Sequence, residues 1–196
     1  MTTDSKSSGS LIKDLKSIPS PMFYIFAAVA FFSAFFVFRF TPVAISVCIF
    51  LLLLVACASA DVNKGIVPDL IVIWIAVLAV IHFILIESFS VSGLISHLIG
   101  AVCISVPMLL CALILKGAFG GGDIKLMAAA GLYLGWKLTL AGVVVASVAA
   151  GLYVIYLLLF KKAGLKSKLK LAPFLAYGLG AAALFGDIIL RLLFHW

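Results

Sequence analysis

Two acidic side chains lie where apolar segments of the sequence end, and their placement suggests acid–base chemistry. Asp123 follows Gly120, Gly121 and Gly122 between two apolar segments, and Asp61 closes an earlier apolar segment. Only seven of the 196 residues are Asp or Glu, so carboxylates at two such positions are conspicuous. Two carboxyl groups brought together share one proton, so that one can take a proton from water while the other donates one.

The segments that must position these acids are membrane helices. The chain is 66% hydrophobic and 11% charged, with a mean hydropathy of +1.36, which is more apolar surface than a soluble domain of this length can bury. Residues 1–20 are polar and are predicted to form a cytoplasmic arm ahead of one transmembrane domain, residues 21–196. Helices satisfy their own backbone hydrogen bonds in lipid, and about 20 apolar residues cross the hydrocarbon core. We therefore predict an all-α polytopic membrane helix bundle of six to seven transmembrane segments, over residues 22–39, 43–60, 67–86, 93–115, 138–160 and 172–194, with a shorter segment at 124–136.

The distribution of basic residues predicts how these helices are oriented. With the N-terminus in the cytoplasm and seven crossings, eleven lysines fall inside, and only Arg39, Lys137 and Arg191 fall outside. Such an asymmetry agrees with the positive-inside rule. The net charge of +7 therefore reflects membrane orientation and requires no nucleic-acid partner. The same orientation places Asp61 and Asp123 at similar depth on the cytoplasmic side.

Both acids also have interpretations that involve no catalysis. Asp123 is placed to cap a helix over 124–136, because an Asp at this position accepts hydrogen bonds from free N–H groups of the first turn. Asp61 is compatible with an interfacial turn beside Lys64. Their common depth and membrane face favour a functional pair, since an ionisable group in a membrane segment costs about 2.5–3.5 kcal/mol and is usually retained for function.

Other chemically capable residues do not form a metal or phosphate motif. His82, Glu87 and His97 are predicted near the outer side of the membrane, where a metal site is conceivable, but histidines packed near the interface are the favoured interpretation. No H-E-x-x-H sequence occurs, and the glycines before Asp123 are not followed by the Lys-Ser or Lys-Thr of a phosphate-binding loop. The four cysteines form no C-x-x-C pair. We therefore predict no metal and no cofactor.

Three blocks of the sequence together resemble the type IV prepilin peptidases. Residues 120–125, Gly-Gly-Gly-Asp-Ile-Lys, match the G-x-G-D signature of that family. Residues 61–69, Asp-Val-Asn-Lys-Gly-Ile-Val-Pro-Asp, resemble its block in which an Asp is followed several residues later by Ile-Pro-Asn. Residues 172–178, Ala-Pro-Phe-Leu-Ala-Tyr-Gly, resemble its late Pro-Phe-Leu-Ala-x-Gly block. Asp69 departs from the family, which usually has Asn at this position.

The resemblance implies an intramembrane aspartic endopeptidase with Asp61 and Asp123 as the catalytic pair. Substrate-binding and backbone-approach positions would be Gly120, Gly121, Gly122 and Lys125. The implied substrates are prepilin or pseudopilin precursors, which carry a short basic leader and are cut at the cytoplasmic edge of the bacterial inner membrane, in connection with a type IV pilus or secretion assembly. The paired C-x-x-C motifs of larger members do not occur here, so we expect peptidase activity without N-methyltransferase activity.

Other functions remain compatible with the sequence. A non-catalytic membrane component of a pilus or secretion assembly would use Asp61 and Asp123 as packing or ion-pair residues. A small proton-coupled transporter would use membrane carboxylates as proton carriers, although its site is expected near the midplane. A presenilin-like protease, which cuts deeper within a membrane helix, is disfavoured because Ala60 rather than Tyr precedes Asp61.

Overall fold

The part of the chain that the structure describes consists of α-helices. The computed structural model describes residues 41–86, 90–115, 119–160 and 171–194, together with positions 28, 32, 33, 37 and 38. The helices in the four long ranges are α1 (Pro42–Lys64), α2 (Asp69–Ile86), α3 (Val91–Cys103), α4 (Ser105–Ile114), α5 (Gly121–Phe160) and α6 (Ala172–Phe194). The predicted all-α fold class is therefore confirmed.

Length and composition make several of these helices suitable for a membrane. In the described ranges, four helical stretches are long and apolar enough to cross one, namely Pro42–Lys64, Val91–Ile114, Gly121–Tyr156 and Ala172–Leu192, and Asp69–Leu85 is a shorter apolar helix. Many large apolar side chains face outward, as lipid-facing helices require. The chain is thus a polytopic helical bundle. The predicted arm at 1–20, most of the predicted span 22–39, Glu87 and the lysine-rich segment 161–170 lie outside the described residues.

One predicted span is divided into two helices by a proline. Residues 93–115 were expected to form a single helix, but α3 ends at Cys103 and α4 begins at Ser105. Pro107 has no backbone N–H, and its ring collides with the carbonyl four residues earlier, which is that of Cys103. Proline is tolerated in the first turn of a helix, and this is where Pro107 lies in α4. The side chain of Ser105 donates a hydrogen bond to the Ala101 carbonyl at the break.

The predicted boundary between residues 136 and 138 corresponds to a kink in α5. Gly135 has φ 74° and ψ 168°, a positive-φ extended conformation that is accessible to glycine and interrupts the helix. Nδ1 of the buried His97 donates a hydrogen bond of 2.7 Å to the Leu132 carbonyl just before the kink. The Thr139 hydroxyl donates one of 2.7 Å to the Gly135 carbonyl. His97 therefore supplies a hydrogen-bond donor to a backbone carbonyl next to the kink. This agrees with the packing role favoured from the sequence.

Small residues let neighbouring helices approach backbone to backbone. A Cβ on Gly131 of α5 would overlap the Gly100 carbonyl of α3, and a Cβ on Gly178 of α6 would overlap the Gly142 carbonyl of α5. Lipid offers little hydrophobic drive for helix association, so close van der Waals contact at small residues supplies much of it. These two contacts attach α3 and α6 to α5, the helix that carries Asp123.

A buried polar network joins α1, α2 and α5 away from Asp123. The Ser46 hydroxyl lies 2.8 Å from His82 Nδ1 and 2.9 Å from the Tyr133 hydroxyl. The Tyr133 ring stacks on Phe50, with ring centroids 4.1 Å apart. His82 therefore takes part in interhelical hydrogen bonding. In the described residues, no group of three or more His, Cys, Asp or Glu side chains is arranged to hold a metal ion.

Replacing Tyr133 by Phe is expected to lower the free energy of unfolding by about 1 kcal/mol. The substitution removes the hydroxyl that meets Ser46 and keeps the ring that stacks on Phe50. Unfolding in mixed detergent micelles measures the difference. Tyr153→Phe is the matched control, because the Tyr153 side chain is 43% exposed and its ring contact with Phe174 does not involve the hydroxyl. Equal stability of the two variants would contradict a role for the network.

Candidate active site

A cavity of about 430 Å³ lies between the end of α1 and the beginning of α5. One side, here called the Asp61 wall, consists of Asp61 and residues 65–69; the other, the Asp123 wall, consists of residues 120–123 and Lys125. The complete lining is Asp61, Gly65, Ile66, Val67, Pro68, Asp69, Gly120, Gly121, Gly122, Asp123 and Lys125. All the residues singled out from the sequence as catalytic or substrate-binding therefore meet in one cavity, although they come from two segments far apart in the chain.

Asp61 lies in the last turn of α1 and is only 8% exposed. The helix ends at Gly65, whose φ of 67° is the left-handed conformation that glycine adopts without strain. The Gly65 N–H donates a hydrogen bond of 2.8 Å to the Asp61 carbonyl. The chain thus leaves the helix one turn after Asp61, and the next residues extend the wall until α2 begins at Asp69.

Asp123 lies in the first turn of α5 and has two different environments. The helix begins at Gly121 rather than at residue 124, so Asp123 is its third residue. The Gly120 backbone N–H donates a hydrogen bond to the carboxylate, as is common when an acid at the third helical position reaches back to the N-terminal cap. The prediction that Asp123 is the N-cap residue is therefore wrong, because Asp123 lies within the first turn and reaches back to Gly120 at the cap position. The Oδ1 atom is buried and has no hydrogen-bond partner within the described residues, which capping does not explain.

The two carboxyl groups share one electrostatic environment. They line the same cavity from opposite walls and are near enough for their charges to interact. Neighbouring carboxylates repel each other, and retention of one proton between them relieves the repulsion. Such a pair can take a proton from a water molecule with its ionised member and give a proton with the other. This arrangement is suited to hydrolysis.

The three glycines of the Asp123 wall have different surroundings. A Cβ on Gly122 would lie 2.8 Å from the Val67 Cβ, closer than real Cβ contacts allow. A Cβ on Gly120 would lie 3.1 Å from Oδ2 of Asp123, whereas one on Gly121 would meet nothing within 4 Å. Gly122 therefore lets the two walls touch, Gly120 leaves room for the carboxylate, and Gly121 borders open space. The Gly122–Val67 contact was missed from the sequence, where Val67 carries no distinguishing signal.

An ion pair connects the two walls at the rim of the cavity. Nζ of Lys125 lies 2.8 Å from Oδ1 of Asp69, and their side chains are 58% and 65% exposed. From the sequence, Lys125 was expected near the site, and Asp69 was noted only as a departure from the family pattern. Opposite charges in the two blocks were a signal, but at a sequence separation of 56 residues the sequence alone does not show that they pair.

Comparison with known proteins yields one family. The sequence model of the type IV leader peptidase family matches residues 48–155, which is more than half of the chain and includes both walls of the cavity. The block at residues 172–178 lies beyond the matched range. No curated protein and no solved structure matches the chain.

Proposed function

The chain belongs to the type IV leader peptidase family, and we propose that it is an aspartic endopeptidase that removes leader peptides from prepilin-like precursors. The observation that carries this proposal is the placement of Asp61 and Asp123 on opposite walls of one cavity. Family membership supports peptide hydrolysis as the reaction. The carboxyl pair supplies groups that can activate water and assist a leaving amine, as hydrolysis requires.

In the proposed mechanism, the pair begins with one proton and a water molecule between Asp61 and Asp123. The ionised carboxylate takes a proton from the water as the water oxygen attacks the scissile carbonyl carbon. The protonated carboxyl donates a hydrogen bond to the developing oxyanion. It then transfers its proton to the nitrogen as the C–N bond breaks, and the products are a carboxylic acid and an amine. After one cleavage, the carboxyl group that began ionised carries the proton, and the group that began protonated is ionised.

The surroundings of the pair support a role in binding a peptide backbone. Gly121 borders open space within the cavity, so an extended peptide can approach Asp123 from this side without meeting a side chain. Gly120 and Gly122 keep the carboxylate uncrowded and the walls in contact. Lys125 provides a cationic donor at the rim. We propose these four residues as the substrate-approach surface.

We also propose that the cavity opens to the cytoplasmic side of the bacterial inner membrane. The positive-inside distribution of the lysines supports this orientation. Lys64 directly precedes residues 65–69 of the Asp61 wall in the sequence, and Lys125 belongs to the Asp123 wall. Prepilin or pseudopilin precursors would present their leaders on that side, and a pilus or secretion assembly would receive the cleaved product.

Incubation of the purified protein with a prepilin-type precursor in lipid or detergent tests the proposed reaction. We expect one cut between leader and apolar helix, identified by mass spectrometry of both products. A chelator is expected to leave the rate within about twofold, because the proposed mechanism uses two carboxyl groups. Failure to cut any precursor with a leader, or loss of activity on chelation, would contradict the proposal.

We propose further that the new N-terminus is released without methylation. The basis is the lack of any C-x-x-C pair among the cysteines at positions 48, 57, 103 and 111. The same mass spectra provide the test when a methyl donor is added to the reaction. A product heavier by one methyl group would refute this part of the proposal.

A further inference from the structure

The ion pair between Lys125 and Asp69 is more exposed to solvent than the carboxyl pair. Lys125 follows Asp123 by two residues, and Asp69 belongs to the wall that Asp61 begins. Both side chains are more than half exposed, whereas Asp61 is 8% exposed. The bond of 2.8 Å therefore connects the two walls of the cavity through side chains that are exposed to solvent.

This bond is too weak to be what holds the walls together. Exposed ion pairs are solvated and screened by salt, and they shift an equilibrium by at most about fivefold. The contact between Gly122 and Val67 is better suited to hold the walls, because Val67 is only 6% exposed and the two residues touch directly. The ion pair therefore adds little stability, and a competing partner can replace it easily.

An endopeptidase substrate must replace the Lys125–Asp69 ion pair with contacts of its own. Its chain continues on both sides of the scissile bond, so a bound segment must enter and leave the cavity. The volume of about 430 Å³ is near the lower end of ligand pockets, and a bond between the walls limits the opening further. A peptide backbone offers one N–H donor and one C=O acceptor per residue. The carbonyl can accept from the Lys125 ammonium, and the N–H can donate to the Asp69 carboxylate.

We propose that Lys125 and Asp69 form a strap across the cavity, which opens when a peptide enters and then binds the peptide backbone. Each charged group exchanges its partner in the strap for a backbone group of the peptide. The inference rests on the proposed function, because it specifies how a peptide reaches Asp61 and Asp123. It also assigns a role to Asp69, the position at which this chain departs from the family pattern.

Thiol labelling tests the strap without requiring peptidase activity. Gly121→Cys places a thiol in open space within the cavity, and labelling of the native cysteines is subtracted using the chain without this substitution. The measured quantity is the ratio of rates for a bulky polymer-linked maleimide and a small one, which cancels changes in thiol reactivity. We expect Asp69→Asn and Lys125→Gln to raise this ratio by up to about fivefold.

Two further variants complete the labelling test. Lys64→Gln removes a lysine at the end of α1 that does not line the cavity, and we expect it to leave the ratio unchanged. The exchange Asp69→Lys with Lys125→Asp restores a pair of reversed polarity, and we expect the ratio to return toward that of Gly121→Cys alone. Equal ratios in all variants would overturn the strap.

A reversible cross-link tests whether the strap must open during cleavage. The double variant Asp69→Cys/Lys125→Cys, bridged by a short bis-methanethiosulfonate reagent, is expected to cut precursor at least about tenfold more slowly than the same protein after reduction removes the bridge. Each single cysteine variant, which cannot be bridged in this way, should respond little to the reagent. Full cleavage by the bridged double variant would overturn the proposal. If the unmodified protein cuts no precursor, the proposed function fails while the labelling ratios still decide on the strap.

Discussion

Replacing either Asp61 or Asp123 by Asn is expected to lower kcat/KM for precursor cleavage by about 10³-fold or more. Asn matches the size of Asp but can neither take a proton from water nor return one to the leaving amine. Because the two carboxyl groups act as a unit, the double variant should be about as inactive as each single variant. Quantitative cleavage of a purified precursor in lipid measures the effect. Asp187→Asn, an exposed acid of α6 outside the cavity, should cleave normally.

The stability of these variants separates catalysis from the alternative structural role. Neutralising one member of a repelling carboxyl pair should leave the free energy of unfolding unchanged or raise it. At position 123, the Asn side-chain oxygen can still accept the hydrogen bond of the Gly120 N–H. Packing or ion-pair residues of a non-catalytic component would instead show a loss of stability when neutralised. Retained cleavage in either variant, or unfolding in both, would count against the catalytic pair.

Replacing Gly122 by Ala is expected to have the next largest effect, because it separates the walls that carry the two acids. The added Cβ would lie 2.8 Å from the Val67 Cβ, so one wall must shift by several tenths of an ångström or more. Misplacement of catalytic groups by about 1 Å can cost about 10²-fold in rate. We therefore expect kcat to fall by about 10-fold to 10²-fold, with a smaller effect on KM.

Two companion variants distinguish this mechanism from a general effect of Ala in the first turn of α5. Gly121→Ala introduces the same methyl group where nothing lies within 4 Å, and Ala is more favourable than Gly in a helix. Its free energy of unfolding should therefore not fall, whereas that of Gly122→Ala should. The double variant Val67→Gly/Gly122→Ala removes the Cβ at position 67 and adds one at position 122, so the two no longer overlap. It should restore part of the lost kcat. Equal kcat for Gly121→Ala and Gly122→Ala would refute the wall contact.

Hydropathy located three of the helices correctly but missed a break within another. Helices α1, α2 and α6 correspond to the predicted segments 43–60, 67–86 and 172–194. An apolar segment in lipid forms a helix because a helix satisfies all of its backbone hydrogen bonds internally. The split of 93–115 was missed although Pro107 was its signal. The apolar run continues through the proline, and helix interruption in membranes depends on whether neighbouring groups satisfy the freed backbone.

At the cavity, the types of the reactive groups and the helix ends at which they lie follow from the order of residues along the chain. Asp61 precedes the helix-ending Gly65 and Asp123 follows the glycines that open α5, and both statements depend only on neighbours in the chain. The contact of Gly122 with Val67 and the ion pair of Lys125 with Asp69 arise only when the helices pack. Such contacts join residues more than 50 positions apart, and they depend on the angle, depth and rotation at which helices pack. Hydropathy and charge report the surroundings of each segment, and they carry no information about which atoms of two segments meet.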